Sequence, residues 1–174
     1  MLAASSFNSE LVFPPGFFEF NAAGFVGNMS EFASVPNPGL TPGELSVSRL
    51  IQTDQPVQFL FNWEVAGVFG HAFNPAFIWE VEVILEKYGP TEFDLVLAGV
   101  SPTQVTFGSG IFSPIPFPGT TTYAGVSVNI PANTITAGVY EAVAVIRLLH
   151  PDGVTPCFLA AFGEFGKIQF YGDH

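Results

Sequence analysis

A chain of 174 residues fits a single domain, and one of this length buries roughly 70% of the surface its unfolded form exposes. Its hydrophobic share is 48% against a charged share of only 11%, with 20 Phe, so charge is too scarce to coat the surface and one core cannot hide every ring. The 15 acidic and 4 basic residues leave a formal charge of −11, which repels phosphate backbones and anionic lipid and argues against nucleic acid as a partner.

At the start of the chain, Met1-Leu2-Ala3-Ala4-Ser5-Ser6 has neither the basic segment nor the long apolar segment of a secretory leader. No apolar run approaches the ~20 residues that span a bilayer, so no transmembrane segment is expected. The chain is either made without a leader or begins after its removal, and the compartment stays open. Residues 1–44 are expected to form an extended N-terminal arm. Pro14, Pro15 and the run Pro36-Asn37-Pro38-Gly39-Leu40-Thr41-Pro42-Gly43 interrupt any regular ladder, because proline fixes φ and donates no hydrogen bond. Two short apolar pieces of the arm, holding Leu11, Phe13, Phe17, Phe18 and Phe20, are candidates to add a strand to an edge of this domain or of a neighbouring copy.

From Leu45 the texture becomes regular, and residues 45–174 are expected to form one sandwich domain. Leu45 and Val47 alternate with Ser46 and Ser48. Over residues 57–65 the period of two continues, with Val57, Phe59, Phe61, Trp63 and Val65 on one face and Gln58, Asn62 and Glu64 marking the other. Residues 77–86 repeat the pattern, Phe77, Trp79, Val81, Val83 and Leu85 inward and Glu80, Glu82 and Glu86 outward. A turn at Tyr88-Gly89-Pro90-Thr91 precedes a shorter expected strand at residues 93–97. Residues 107–120 are strongly apolar, but their prolines forbid a central strand; they form a loop that either roofs the core or presents Ile111, Phe112, Ile115 and Phe117 as a contact patch.

Val126, Val128 and Ile130 make the next inward set. A long strand over residues 139–149 then places Tyr140, Ala142, Ala144, Ile146 and Leu148 on one face. His150-Pro151-Asp152-Gly153 turns the chain into residues 155–162 and a last strand near Lys167 to Tyr171. Many short strands at turn-bounded spacing predict an all-β, antiparallel two-sheet β-sandwich. With Trp79 inside a central strand, the corner Ala137-Gly138-Val139-Tyr140 and the alternation after Tyr140, residues 45–171 resemble immunoglobulin-like sandwiches. That resemblance implies that the Tyr140 hydroxyl ties to nearby backbone and that Ala142, where antibody domains carry cysteine, faces the core.

Chemistry has no local signature. The chain lacks a phosphate-binding loop, a Gly-x-Ser-x-Gly elbow and a His-Glu-x-x-His pair, so no cofactor, metal or catalytic residue is assigned. Glu80 and Glu82 share a face at a separation near that of paired catalytic carboxylates, but their alternation with a core-facing set makes them a solvated sheet surface. His71, His150 and His174 are the only imidazoles, and the single cysteine, Cys157, sits in an apolar run and can form no internal disulfide. The expected function is a non-enzymatic structural or interaction module whose partner is itself or another protein. Binding of a hydrophobic small molecule is the alternative, and an enzyme with a site assembled from distant segments is the third reading.

Overall fold

The computed structural model describes residues 3–10, 13–29, 32, 50–68, 73–89, 93–115 and 117–172. Its strands are β1 (Ala3–Ser9), β2 (Glu19–Asn28), β3 (Leu50–Gln52), β4 (Val57–Ala66), β5 (Ile78–Lys87), β6 (Thr103–Thr106), β7 (Ile111–Ser113), β8 (Thr120–Ile130), β9 (Gly138–Leu149) and β10 (Pro156–Tyr171). They form an antiparallel β-sandwich. One sheet runs β2-β4-β8-β7 and the other β6-β5-β9-β10, while β3 lies parallel to the end of β10. The expected strand at Leu45 and Val47 falls outside the described residues.

Strand β1 links the two sheets. Residues 3–6 pair with residues 23–26 of β2, and residues 7–9 then pair with residues 161–163 of β10. The crossing needs close backbone approach at Phe7. A Cβ on Gly163 would lie 2.7 Å from the Phe7 ring, and one on Gly24 would lie 2.6 Å from Phe165, so both positions are reserved for glycine. Where the sequence reads an arm over residues 1–44, two of its segments are therefore sheet strands, and β2 is held on both sides by β1 and β4. The prolines at 14 and 15 fall in the connection between β1 and β2, where no ladder bond is required.

The core lies between the sheets. Every inward residue expected on β4 is at most 2% exposed, Trp79, Val81, Tyr140, Ala142, Ala144, Ile146 and Leu148 are fully buried, and Trp63 and Trp79 meet edge to face at 5.9 Å. The Tyr140 hydroxyl donates to the carbonyl oxygen of Thr136 at 2.8 Å, tying the corner before β9 to the strand itself.

Two outward expectations, Asn62 and Glu80, and one expected strand change. Asn62 is buried because β8 bulges at Ala124 and Gly125, which frees the Gly125 N–H to donate to Asn62 Oδ1 at 2.8 Å. Phe32 seats with Ala23, Phe25 and Leu60, so part of the outer face of β2 and β4 is covered as well. Glu80 is buried beneath Arg147. The expected strand is residues 93–97, which turn instead of extending: Asp94 Oδ1 accepts the N–H groups of Val96 and Leu97, and Ala98 N–H reaches the Asp94 carbonyl. An aspartate side chain that satisfies the amides two and three residues on competes with the ladder and wins here.

Candidate interaction surface

Four exposed apolar residues lie on β7 and in the connection after it. Gly110 carries the chain tightly over Tyr123, where a Cβ would fall 2.7 Å from the ring, and Pro114 stops the strand after three residues. Residues 111–113 pair with residues 120–122 of β8, and among the described strands β7 is the last of its sheet. On this strand Ile111 and Phe112 are 76% and 53% exposed. Beyond it Ile115 and Phe117 stand out at 81% and 90%. The sequence offered two roles for this loop, roof or patch, and these four side chains face outward.

A short 3-10 turn (Phe107–Ser109) anchors the base of the strand. Its Phe107 is buried against Trp79, and the Tyr123 hydroxyl donates to the Phe107 carbonyl at 2.6 Å. Burial pushes the Tyr123 phenol up to about 12, with the neighbouring Trp79 indole acting in the other direction. On one side of this turn lies a groove of about 320 Å³ lined by Phe73, Pro75, Phe107 and Phe112. On the other, a groove of about 430 Å³ runs between the edges of β6 and β8, lined by Val105, Ile111, Tyr123 and Val126. The Thr103 hydroxyl bridges those two edges by donating to the Ser127 carbonyl at 2.7 Å.

The N-terminal candidates divide. Phe18 is buried and Phe13 and Phe20 pack against the core, with ring centroids 6.0 Å apart for Phe18 and Phe73, 6.4 Å for Phe13 and Phe158 and 5.8 Å for Phe20 and Trp79. Only Phe17, half exposed, faces solvent to a comparable degree; Leu11 lies outside the described residues. Through Phe73, which touches both Phe18 and Phe107, the tip between β1 and β2 and the β7 region share one end of the sandwich.

One sequence signal marks this region: residues 95–140 contain no Asp, Glu, Lys, Arg or His, so β6, β7, β8 and their connections carry none of the net charge of −11. Charged side chains cluster elsewhere. On the outer face of β5 and β9, Arg147 Nε donates to Glu80 at 2.7 Å and its Nη2 sits 2.9 Å from Glu82, so one guanidinium serves both carboxylates. Gln104 donates to the second oxygen of Glu80 at 2.7 Å, giving the pair a structural role. At the turn after β9, Asp152 is held at about 2 by the Thr155 hydroxyl and the amides of Thr155 and Val154, which occupy its oxygens, while His150 packs its ring on Phe77. His71 and His174 lie outside the described residues.

Among the described residues no group of three or more His, Cys, Asp or Glu is placed to hold a metal ion, and no helix is long and apolar enough to cross a membrane. No protein family matches this chain, and neither a curated protein nor a solved structure matches it significantly.

Proposed function

We propose that this chain is a non-enzymatic interaction module on an immunoglobulin-like sandwich, burying its uncharged end against another protein chain in a homo-oligomer or larger assembly. Support for the immunoglobulin-like part comes from connectivity. Taking β4, β5, β6, β7, β8, β9 and β10 as strands B, C, C′, D, E, F and G, B-E-D neighbours fall in one sheet and C′-C-F-G neighbours in the other. The buried Trp79 then lies on strand C and the Tyr140 corner at the start of strand F. In this frame β1 and β2 are an added hairpin bridging strands G and B.

The observation that carries the functional part is the exposure of Ile111, Phe112, Ile115 and Phe117 within a stretch free of charge. Exposed apolar side chains of this kind are hidden when proteins assemble. Size-exclusion chromatography with light scattering on the full chain tests it, beside Phe112→Asp/Phe117→Asp. A larger species that the substitutions reduce to a monomer is expected. Two monomers of equal stability would sink the reading.

The groove between β6 and β8 favours a second reading, a site for an uncharged hydrophobic small molecule, because Val105, Ile111, Tyr123 and Val126 line it together with the hydroxyls of Thr103, Ser109 and Thr122. Native mass spectrometry of the purified chain would show retained ligand. A mass matching the polypeptide alone, with no gain in melting temperature from added lipid, would remove it.

A further inference from the structure

We infer that the partner at this end is a second copy of the same chain, and that two copies exchange the Phe117 ring, each ring entering the groove between β6 and β8 of the other. The inference rests on the interaction-module reading above and names its partner and its contact. The groove, of about 430 Å³, exceeds the roughly 150 Å³ in which a protein interior holds a benzene ring. Val105, Ile111, Tyr123 and Val126 give it apolar sides. Its walls are braced, because the Thr103 hydroxyl donates to the Ser127 carbonyl between the two strand edges and the Tyr123 hydroxyl is held on the Phe107 carbonyl. Phe117 is 90% exposed, so its ring does not fill the groove of its own molecule. The backbone that carries it is stiffened by Pro114 and Pro118, which fix φ, and by the Ser113 hydroxyl, which donates to the Ile115 carbonyl at 3.1 Å. A ring held in place and a groove already formed lower the ordering cost of association.

Charge selects the occupant. Two copies at −11 each repel one another over most of their surfaces, yet Phe117 and the described residues that line the groove all fall within residues 95–140, which contain no Asp, Glu, Lys, Arg or His. Here two acidic copies meet without bringing like charges together. A basic partner would be drawn instead to the acidic surfaces elsewhere on the molecule. Ring and groove belong to one chain, so the contact that one copy makes is returned by the other and the pair closes on a two-fold axis. Each inserted ring hides roughly 150–250 Å² and the walls that receive it a similar area, so two exchanged rings with the neighbouring Ile115 side chains bury on the order of 1,000 Å², the lower bound for a specific interface.

Sedimentation velocity over a wide concentration range tests the exchange on the full chain, on two single variants and on their mixture. A concentration-dependent dimer is expected. Phe117→Ala removes the ring, and Ala124→Glu places a carboxylate in the groove at an exposed position. Each should weaken the dimer by roughly tenfold or more, with the melting temperature of the dilute monomer unchanged. Mixing the variants separates an exchange from unspecific apolar contact. Their heterodimer keeps one intact contact, the Phe117 ring of the Ala124→Glu chain in the unaltered groove of the Phe117→Ala chain, so the mixture should associate more tightly than either variant alone. A dimer that Ala124→Glu leaves intact, or a mixture no tighter than its components, overturns the exchange while leaving the module reading standing. A monomer at every concentration overturns both, and a small molecule retained by that monomer in native mass spectrometry would assign the groove to it instead.

Discussion

Residues 13–20 and residues 111–118 have nearly the same texture, each a run of bulky apolar side chains broken by proline, and the fold disposes of them in opposite ways. In the first, Phe18 is buried and Phe13 and Phe20 pack on the core; in the second, Ile111, Phe112, Ile115 and Phe117 are all more than half exposed. The difference lies in the neighbours. Residues 13–20 lead into β2, which has a strand on each side, and two rings from elsewhere, Phe73 in the connection before β5 and Phe158 on β10, are there to receive Phe18 and Phe13. The second run holds β7, which among the described strands pairs with β8. An apolar run is buried when the tertiary structure supplies a second surface, and otherwise it remains available to one from outside.

Substitutions can break or sharpen that contrast. The largest effect is expected behind the exposed edge, where Trp79→Ala should cost about 3–5 kcal/mol in urea unfolding because the ring is fully buried among Trp63, Phe107 and Tyr123. Comparing the two runs directly, Phe18→Ala should cost about 3 kcal/mol, whereas Phe117→Ala in the isolated monomer should stay within about 0.5 kcal/mol. Equal losses would mean that the two runs are not disposed of differently after all.

A third comparison sets this uncharged end against the charged face of β5 and β9. Arg147→Ala leaves the buried Glu80 carboxylate without its cation and should cost about 1–3 kcal/mol, while Glu82→Gln, at a more exposed carboxylate, should cost under about 0.5 kcal/mol. The smallest effect is a pH dependence. Folding favours the neutral Tyr123 phenol, whose ordinary value of 10.0 is raised to about 12. That contribution is complete below pH 10.0 and is lost as pH climbs towards about 12. Ultraviolet titration should show a late-ionising tyrosine that Tyr123→Phe removes; Tyr88, raised by its hydrogen bond to Glu141, serves as the exposed control.

Much of the strand pattern was legible. Period two placed Val57 to Val65, Trp79 to Leu85 and Tyr140 to Leu148 on the faces they occupy, because alternation along a strand is a local property. It failed where a side chain serves a backbone group: Asp94 closes a turn where a strand was expected, and Asn62 is drawn inward by the bulge opposite. Of the Pro-Phe loop, the apolar side chains and the charge-free stretch around them are legible in the sequence, while their exposure is given by the structure. The inward turn of Phe13, Phe18 and Phe20 was not, since their receiving rings come from segments far along the chain.

Composition and alternation by themselves determined that this chain is an all-β sandwich with more apolar side chain than its charges can offset, since both follow from residue type and spacing. Which Phe-rich run is covered, that β1 carries the chain from one sheet to the other, and that β7 ends a sheet were decided only by tertiary structure. Each depends on which distant strand lies alongside, and a period-two pattern names a strand's faces without naming its neighbours.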